Sequence, residues 1–240
     1  MMSTLPPSLQ RLVGSFIPWS NRDYFIHCFP SQTRAVVRYT ARNKSELPEN
    51  ALLKQVVLPE GMQQVGETAF TGCTSITSVT FPEWLQQVGF WAFAGCRSIT
   101  SITLPNGLQQ LEEAAFAACS SLTSVTFPEG LQQVGFLAFF RCNSLTSVTL
   151  PEGLQQVGEG AFANCINLTS VTFPEGLQSI GSAAFRGCSI TSVTLPQGCS
   201  YVDQSDEKPS FPPGCTISFR SFSAKRRRLG LKPAFQQLRF

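Results

Sequence analysis

The sequence predicts an α/β solenoid: a right-handed stack of short units with a parallel sheet of short strands. Three observations predict it. Cys73, Cys96, Cys119, Cys142, Cys165 and Cys188 stand 23 residues apart, and a phenylalanine precedes each by three, from Phe70 to Phe185. Pro59, Pro82, Pro105, Pro128, Pro151 and Pro174 keep the same step, and Pro196 comes one residue early. Between them runs a strand-like stretch, such as "LTSVTF" at 122–127. One such unit cannot bury its own apolar face, so a fixed period of this length means stacking. About six 23-residue units and a partial seventh occupy residues 53–198.

Each element follows from one unit read in order. In "LTSVTF", Val125 and Phe127 share one face of a strand, and Ser124 and Thr126 share the other. Pro128 stops the strand and "PEG" makes a turn. "LQQVG" places Leu131 and Val134 inward, with Gly135 permitting a sharp corner. "FLAFFRC" predicts a short helical or irregular turn with Ala138, Phe139 and Cys142 inward. All units run the same way, so the strands are parallel, about 4.8 Å apart, with right-handed connections. Leucine and phenylalanine alternate at the last strand position, from Leu58, Phe81 and Leu104 to Phe173 and Leu195. Interdigitation of layers and duplication of a two-unit block both account for that alternation.

The pattern "LxxVxFPxxLxxVGxxAFxxC" resembles the BspA-like class of leucine-rich repeats. The resemblance covers residues 53–198. It implies a curved solenoid used for protein binding and adhesion, and it implies no chemistry. The first unit departs from the pattern, with "LKQVVL" and Met62, a drift that suits an edge unit. The seventh breaks down at Cys199, where leucine is expected.

Composition bounds the function classes. The chain is 42% hydrophobic and 14% charged, which suits a buried core rather than disorder. No run of 18 apolar residues predicts a membrane span. The opening "MMSTLPPSLQRLVGSF" lacks a secretory pattern, so an intracellular location, cytoplasmic or nuclear, is expected, with reduced thiols. Residues 53–198 carry four basic residues and nine glutamates, a net of −5, between flanks of +3 (1–52) and +5 (199–240).

No constellation demands catalysis or a cofactor. The cysteine column has no CxxC spacing for zinc, and its parallel Cβ atoms would stand wider than a disulfide prefers, so a reduced, buried ladder is expected. Cys199 and Cys215 could pair only in an oxidising compartment. His27 and Cys28 are adjacent and point to opposite faces of an extended chain, which spoils them as a nucleophile pair. The "PEG" glutamates (Glu60, Glu83, Glu129, Glu152, Glu175) read as solvating charges. The expectation is a non-catalytic protein-interaction scaffold.

Two surfaces compete for the partner. The sheet face is a uniform array of hydroxyls, including Ser101, Thr103, Ser124, Thr126, Ser147 and Thr149. It could instead serve adhesion or binding to ice, although a curved sheet matches a crystal plane poorly. The variable face lies between the glycine and "AF" of each unit, where Phe90, Trp91, Phe136, Leu137 and Phe140 replace polar or small residues, and Trp84 replaces the turn glycine. Large apolar groups there make a partner site if exposed, and satellite packing if covered.

The flanks do not repeat. Leu5, Leu9, Leu12, Val13 and Phe16 fall on one stripe of an amphipathic helix, and "TRAVVRYTARN" could form another short helix, so residues 1–52 read as a partly helical N-terminal cap. "LPPSLQRLVGSFIP" is similar to the opening of F-box domains, which would make the protein a substrate adaptor of a ubiquitin ligase. Residues 199–240 read as a C-terminal cap and basic tail. Its run Lys225, Arg226, Arg227 and Arg228 fits a nuclear-import signal or a solvated end; without interleaved aromatics it does not argue for specific nucleic-acid binding.

Overall fold

The computed structural model describes residues 54–58, 60–203 and 206–220, together with the backbone of β1 (Asp23–Phe29) and β2 (Ala35–Thr40). Each unit contributes two strands. The first strands are β3 (Gln55–Val57), β5 (Ser78–Thr80), β7 (Ser101–Thr103), β9 (Ser124–Thr126), β11 (Ser147–Thr149), β13 (Ser170–Thr172), β15 (Ser192–Leu195) and β17 (Thr216–Phe219). The second strands are β4 (Gln64–Val65), β6 (Gln87–Val88), β8 (Gln110–Leu111), β10 (Gln133–Val134), β12 (Gln156–Val157), β14 (Ser179–Ile180) and β16 (Ser200–Tyr201). The second strands form one continuous seven-stranded parallel sheet. Its register holds the 23-residue step from β4 to β14, with Val134 beside Val157 on one side and Leu111 on the other, and shortens at β16, where Ser179 pairs with Ser200.

The first strands behave differently. They pair two by two, β3 with β5, β7 with β9, β11 with β13 and β15 with β17. In each pair a leucine ends or directly follows the leading strand (Leu58, Leu104, Leu150, Leu195) and a phenylalanine the second one (Phe81, Phe127, Phe173, Phe219). Phe81, Phe127 and Phe173 each pack edge-on, at 5.7 Å between centroids, onto the phenylalanine twelve residues later in the same turn. The larger ring needs more room than leucine, so the ladder opens once every two turns. Hydroxyls of Thr77, Thr123 and Thr169 close the first three blocks from within, donating to the backbone oxygens of Lys54, Thr100 and Thr146. The leucine–phenylalanine alternation therefore has a structural correlate, a two-unit block.

The third side of each turn is not helical. Among the described residues there is no α-helix, so the α/β class is corrected to an all-β solenoid of about seven turns. The backbone bonds show why. In one turn the amides of Thr68, Phe70 and Gly72 donate across to the carbonyls of Phe90, Ala92 and Ala94, while those of Ala69, Thr71 and Cys73 donate three residues back. A helix would keep every bond within its own segment. Here half of them tie successive turns together. The alternation requires a left-handed residue at two places per turn: Thr68, Trp91, Ala114, Leu137, Gly160 and Ala183 (φ 51 to 60°), and Gly72, Gly95, Ala118, Arg141, Asn164 and Gly187 (φ 57 to 76°). Left-handed backbone costs a non-glycine residue about 1–2 kcal/mol, which cross-turn bonds worth roughly 0.5–1.5 kcal/mol each offset.

The core is a set of columns. Phe70, Phe93, Phe116, Phe139, Phe162, Phe185 and Phe211 stack face to face, with centroids 4.9–5.7 Å apart and planes within 7°. Phe211 extends the stack beyond the last regular unit. Cys199 is buried at the expected leucine position, and β16 beyond it pairs in parallel with β14. Gly158 shows why glycine ends the second strand: its φ is not left-handed, but a Cβ there would lie 2.8 Å from the backbone carbon of Gly135 in the turn before. Close approach of turns, not a special corner, is what favours glycine there. In the third unit Glu112 stands at this place and accepts a hydrogen bond from Gln87 Nε2 at 3.1 Å.

At the N-terminal side β1 pairs antiparallel with both β2 and β3. The short helix expected within "TRAVVRYTARN" is corrected to a strand, since Val36, Val37, Tyr39 and Thr40 favour extended backbone once a neighbouring strand offers pairing. The helix expected over Leu5 to Phe16, and with it the F-box-like stretch, lies outside the described residues.

Candidate binding surfaces

The variable corner follows directly from the ladder. The first residue of each variable pair comes right after the close-packed glycine position, so its side chain leaves the stack. That column reads Glu67, Phe90, Glu113, Phe136, Glu159 and Ser182. Phe90 is 40% exposed and Phe136 41%. The second residue is the left-handed one; Trp91 there is 44% exposed. Leu137 and Phe140 are half-buried instead, packed over Ala94, Ala114 and Ala117. The guanidinium of Arg141 lies 5.0 Å from the Phe140 ring centroid. The expected variable-face set therefore divides into exposed Phe90, Trp91 and Phe136 and covered Leu137 and Phe140.

Trp84 belongs to another corner. It sits in the turn between β5 and β6, opposite Phe90 along β6, and is 70% exposed. The turn glutamates share its corner, all exposed. Glu175 accepts a hydrogen bond from Arg220 Nη1 at 2.7 Å, and Arg220 Nη2 donates to the Phe173 carbonyl at 2.7 Å. Sequence reasoning missed this clasp, because its partners are 45 residues apart and Arg220 lies outside the repeat. It also missed Ile166, which is exposed. The signal was present: Ile166 follows its column cysteine where other units carry Thr74, Arg97, Ser120, Asn143 and Ser189.

The hydroxyl face is exposed as expected. Ser101, Thr103, Ser124, Thr126, Ser147 and Thr149 all face solvent. Their array is interrupted, since β9 and β11 belong to different two-stranded blocks. The import-signal residues Lys225, Arg226, Arg227 and Arg228 lie outside the described residues.

The cysteine column is chemically quiet. Cys96, Cys119, Cys142, Cys165 and Cys188 are thiols, not disulfides. Each Sγ–H donates to a phenylalanine carbonyl of the preceding turn at 3.1–3.2 Å, so the thiols are more than apolar filler. Burial pushes the Cys119 and Cys188 thiols up to about 12 and raises the other three as well, which keeps them protonated and unreactive. Cys199 and Cys215 are also unpaired thiols. Among the described residues no cluster of histidine, cysteine or carboxylate side chains could hold a metal ion. Among the described residues no helix is long and apolar enough to cross a membrane.

Comparison with known proteins supports the same architecture. The profile described as "BspA type Leucine rich repeat region" matches residues 45–152 and 136–206, in six copies. The crystal structure of the leucine-rich repeat protein TpLRR of T. pallidum is 32% identical, with a TM-score of 0.55 over 69% of this chain and 72% of that one. A leucine-rich repeat protein from Eubacterium ventriosum is 20% identical, with a TM-score of 0.64 over 86% of this chain and 53% of its own. One from Bacteroides ovatus is 19% identical, with a TM-score of 0.52 over 85% and 67%. No curated protein matches. The repeated pattern, the stacked turns and these likenesses lead to one assignment: the chain belongs to the BspA-type leucine-rich repeat family.

Proposed function

We propose that the protein is a non-catalytic scaffold that binds another protein through the corners at either end of the strands of its seven-stranded sheet. The observation that carries this is the exposure of Trp84, Phe90, Trp91 and Phe136, between 40% and 70%, on a fold that buries the phenylalanines of its core columns. Exposed aromatics of this size dominate interface energetics when a partner covers them. Their glutamate neighbours favour a partner with basic residues around an apolar centre. Family membership supports an interaction or adhesion role. A cytoplasmic or nuclear location, where the thiols stay reduced, is part of the proposal.

Affinity purification with matched variants tests it. Trp91→Ala and Phe136→Ser should abolish partner capture while the circular dichroism spectrum is unchanged. Binding that survives them but is lost on Thr126→Lys would move the site to the hydroxyl face and overturn the corner reading. A ubiquitin-ligase core subunit among the captured proteins would identify the chain as a substrate adaptor.

A further inference from the structure

We infer that the outward face of the seven-stranded sheet is the docking site of the chain's own basic segment, residues 221–240, which competes with the external partner. The inference rests on the reading of the corners as a protein-binding surface. The floor of this face is an in-register ladder of glutamines, Gln87 beside Gln110, Gln133 and Gln156, each exposed or half-buried. Such side-chain amides can donate to and accept from an extended backbone. Glutamates rim both ends of the strands: Glu83, Glu129 and Glu152 on the turn side, and Glu67, Glu113 and Glu159 on the other. Trp84 stands in the first rim, and Phe90 and Phe136 in the second.

The rims select the occupant. A second copy docked face to face would oppose carboxylates to carboxylates. A neutral peptide would bring no counter-charge to them, although Glu159 already lies 3.9 Å from Lys208 Nζ. The surface fits an extended segment that carries several cations and aromatic or aliphatic groups together. Residues 221–240 are such a segment, with six basic and no acidic residues, interspersed with Phe222, Leu229, Leu231, Phe235 and Phe240.

The chain also leaves the solenoid at the right place. β17 ends at Phe219, and Arg220 is already seated on the rim, holding Glu175 and the Phe173 carbonyl, while its own carbonyl accepts from Gln197 Nε2 at 3.0 Å. From β17, where Arg220 leaves the sheet, to β5 beside Glu83 is six strand steps, about 29 Å at the spacing of paired strands. Residues 221–228 extended reach about 26 Å. Lys225 to Arg228 can therefore be laid over the turns of Glu152 and Glu129, and the long Arg228 side chain spans the remainder to Glu83, where the exposed Trp84 ring offers a cation its face. A tether of this length gives an effective concentration of order millimolar, so modest contacts suffice for occupancy.

The test uses the full chain in a Trp19→Phe background, where Trp84 and Trp91 are the fluorophores, with and without K225E/R226E/R227E/R228E. The probe is a synthetic peptide of residues 221–240. The charge-reversed chain should bind the peptide about tenfold more tightly than the parent, the ratio expected if the tethered segment fills the site nine-tenths of the time. Its tryptophans should also be more accessible to acrylamide. Adding Phe136→Ser and Trp84→Ala should remove peptide binding. Equal affinity of both chains, no binding by either, or binding that survives the added substitutions overturns the inference. So does quenching that depends on protein concentration, which would seat the segment on a neighbouring molecule. A failure here with partner capture still lost in Trp91→Ala would leave the proposed function standing.

Discussion

Gly158 offers the sharpest prediction, because a single methyl group reports how closely successive turns approach. Its ideal Cβ would lie 2.8 Å from the Gly135 carbon, 2.9 Å from the Gly135 oxygen and 2.9 Å from the Phe136 nitrogen. All three are backbone atoms, so no rotamer change relieves the contact. The turns must separate, which also stretches the 2.8 Å bond from the Gly158 amide to the Val134 carbonyl. Overpacking of this kind costs about 1–3 kcal/mol and a weakened hydrogen bond roughly 0.5–1.5 kcal/mol more. Gly158→Ala is therefore expected to destabilise by about 2–3 kcal/mol, a fall of ~1 M in the urea midpoint at an m-value of about 2–3 kcal/mol/M. Gly130→Ala is the control. Its Cβ would meet nothing closer than the Asn106 oxygen at 3.7 Å, and its φ is not left-handed. Loss of unfolded-state freedom should make that variant neutral or more stable by about 0.4–1 kcal/mol. Urea melts of the two variants, followed by circular dichroism, decide the matter. Equal midpoints, or a larger loss in Gly130→Ala, would refute the close approach of turns.

Three further outcomes follow from the columns. Ala118→Gly should raise the urea midpoint, by up to about 1 kcal/mol of stability, because φ of 57° at Ala118 suits glycine, which Gly72, Gly95 and Gly187 supply in other turns. Phe139→Ala should lose about 3–5 kcal/mol in the same melts, since Phe139 stacks on both Phe116 and Phe162 and receives Phe127 edge-on. The buried thiols bind protons more tightly folded than unfolded, so their stabilisation is complete below the unfolded pKa near 9 and is lost as pH rises toward 12. Each such thiol steepens the decline by about 1.4 kcal/mol per pH unit in that window, and Cys119→Ala should flatten it measurably in melts from pH 8 to 11.

The stack was legible because its causes repeat. Pro128, Val125, Leu131, Phe139 and Cys142 each recur at one spacing, and each has one physical meaning: strand stop, strand face, second strand, core ring, core thiol. The exposed aromatics were legible for the opposite reason, since Phe90 and Phe136 break a pattern that Glu67 and Glu113 set. What escaped is what side-chain identity does not encode. Thr68, Trp91, Leu137 and Ala183 take left-handed backbone without any of the glycine or asparagine that usually marks it, so the third side read as a short helical or irregular turn. The cover over Leu137 and Phe140 comes from alanines one or two turns earlier, a contact fixed by stacking. Cys215 ends the proline-to-cysteine turn before β17, but the irregular 26-residue step from Phe185 to Phe211 hid that further turn.

The most direct measurement of the stacking is through-hydrogen-bond scalar coupling in isotopically labelled protein. The account predicts couplings from the amides of Phe93, Phe116, Phe139 and Phe162 to the carbonyl carbons of Ala115, Ala138, Ala161 and Ala184, each 22 residues on. Couplings from those amides to carbonyls four residues back would mean a helix on the third side and would contradict the cross-turn ladder.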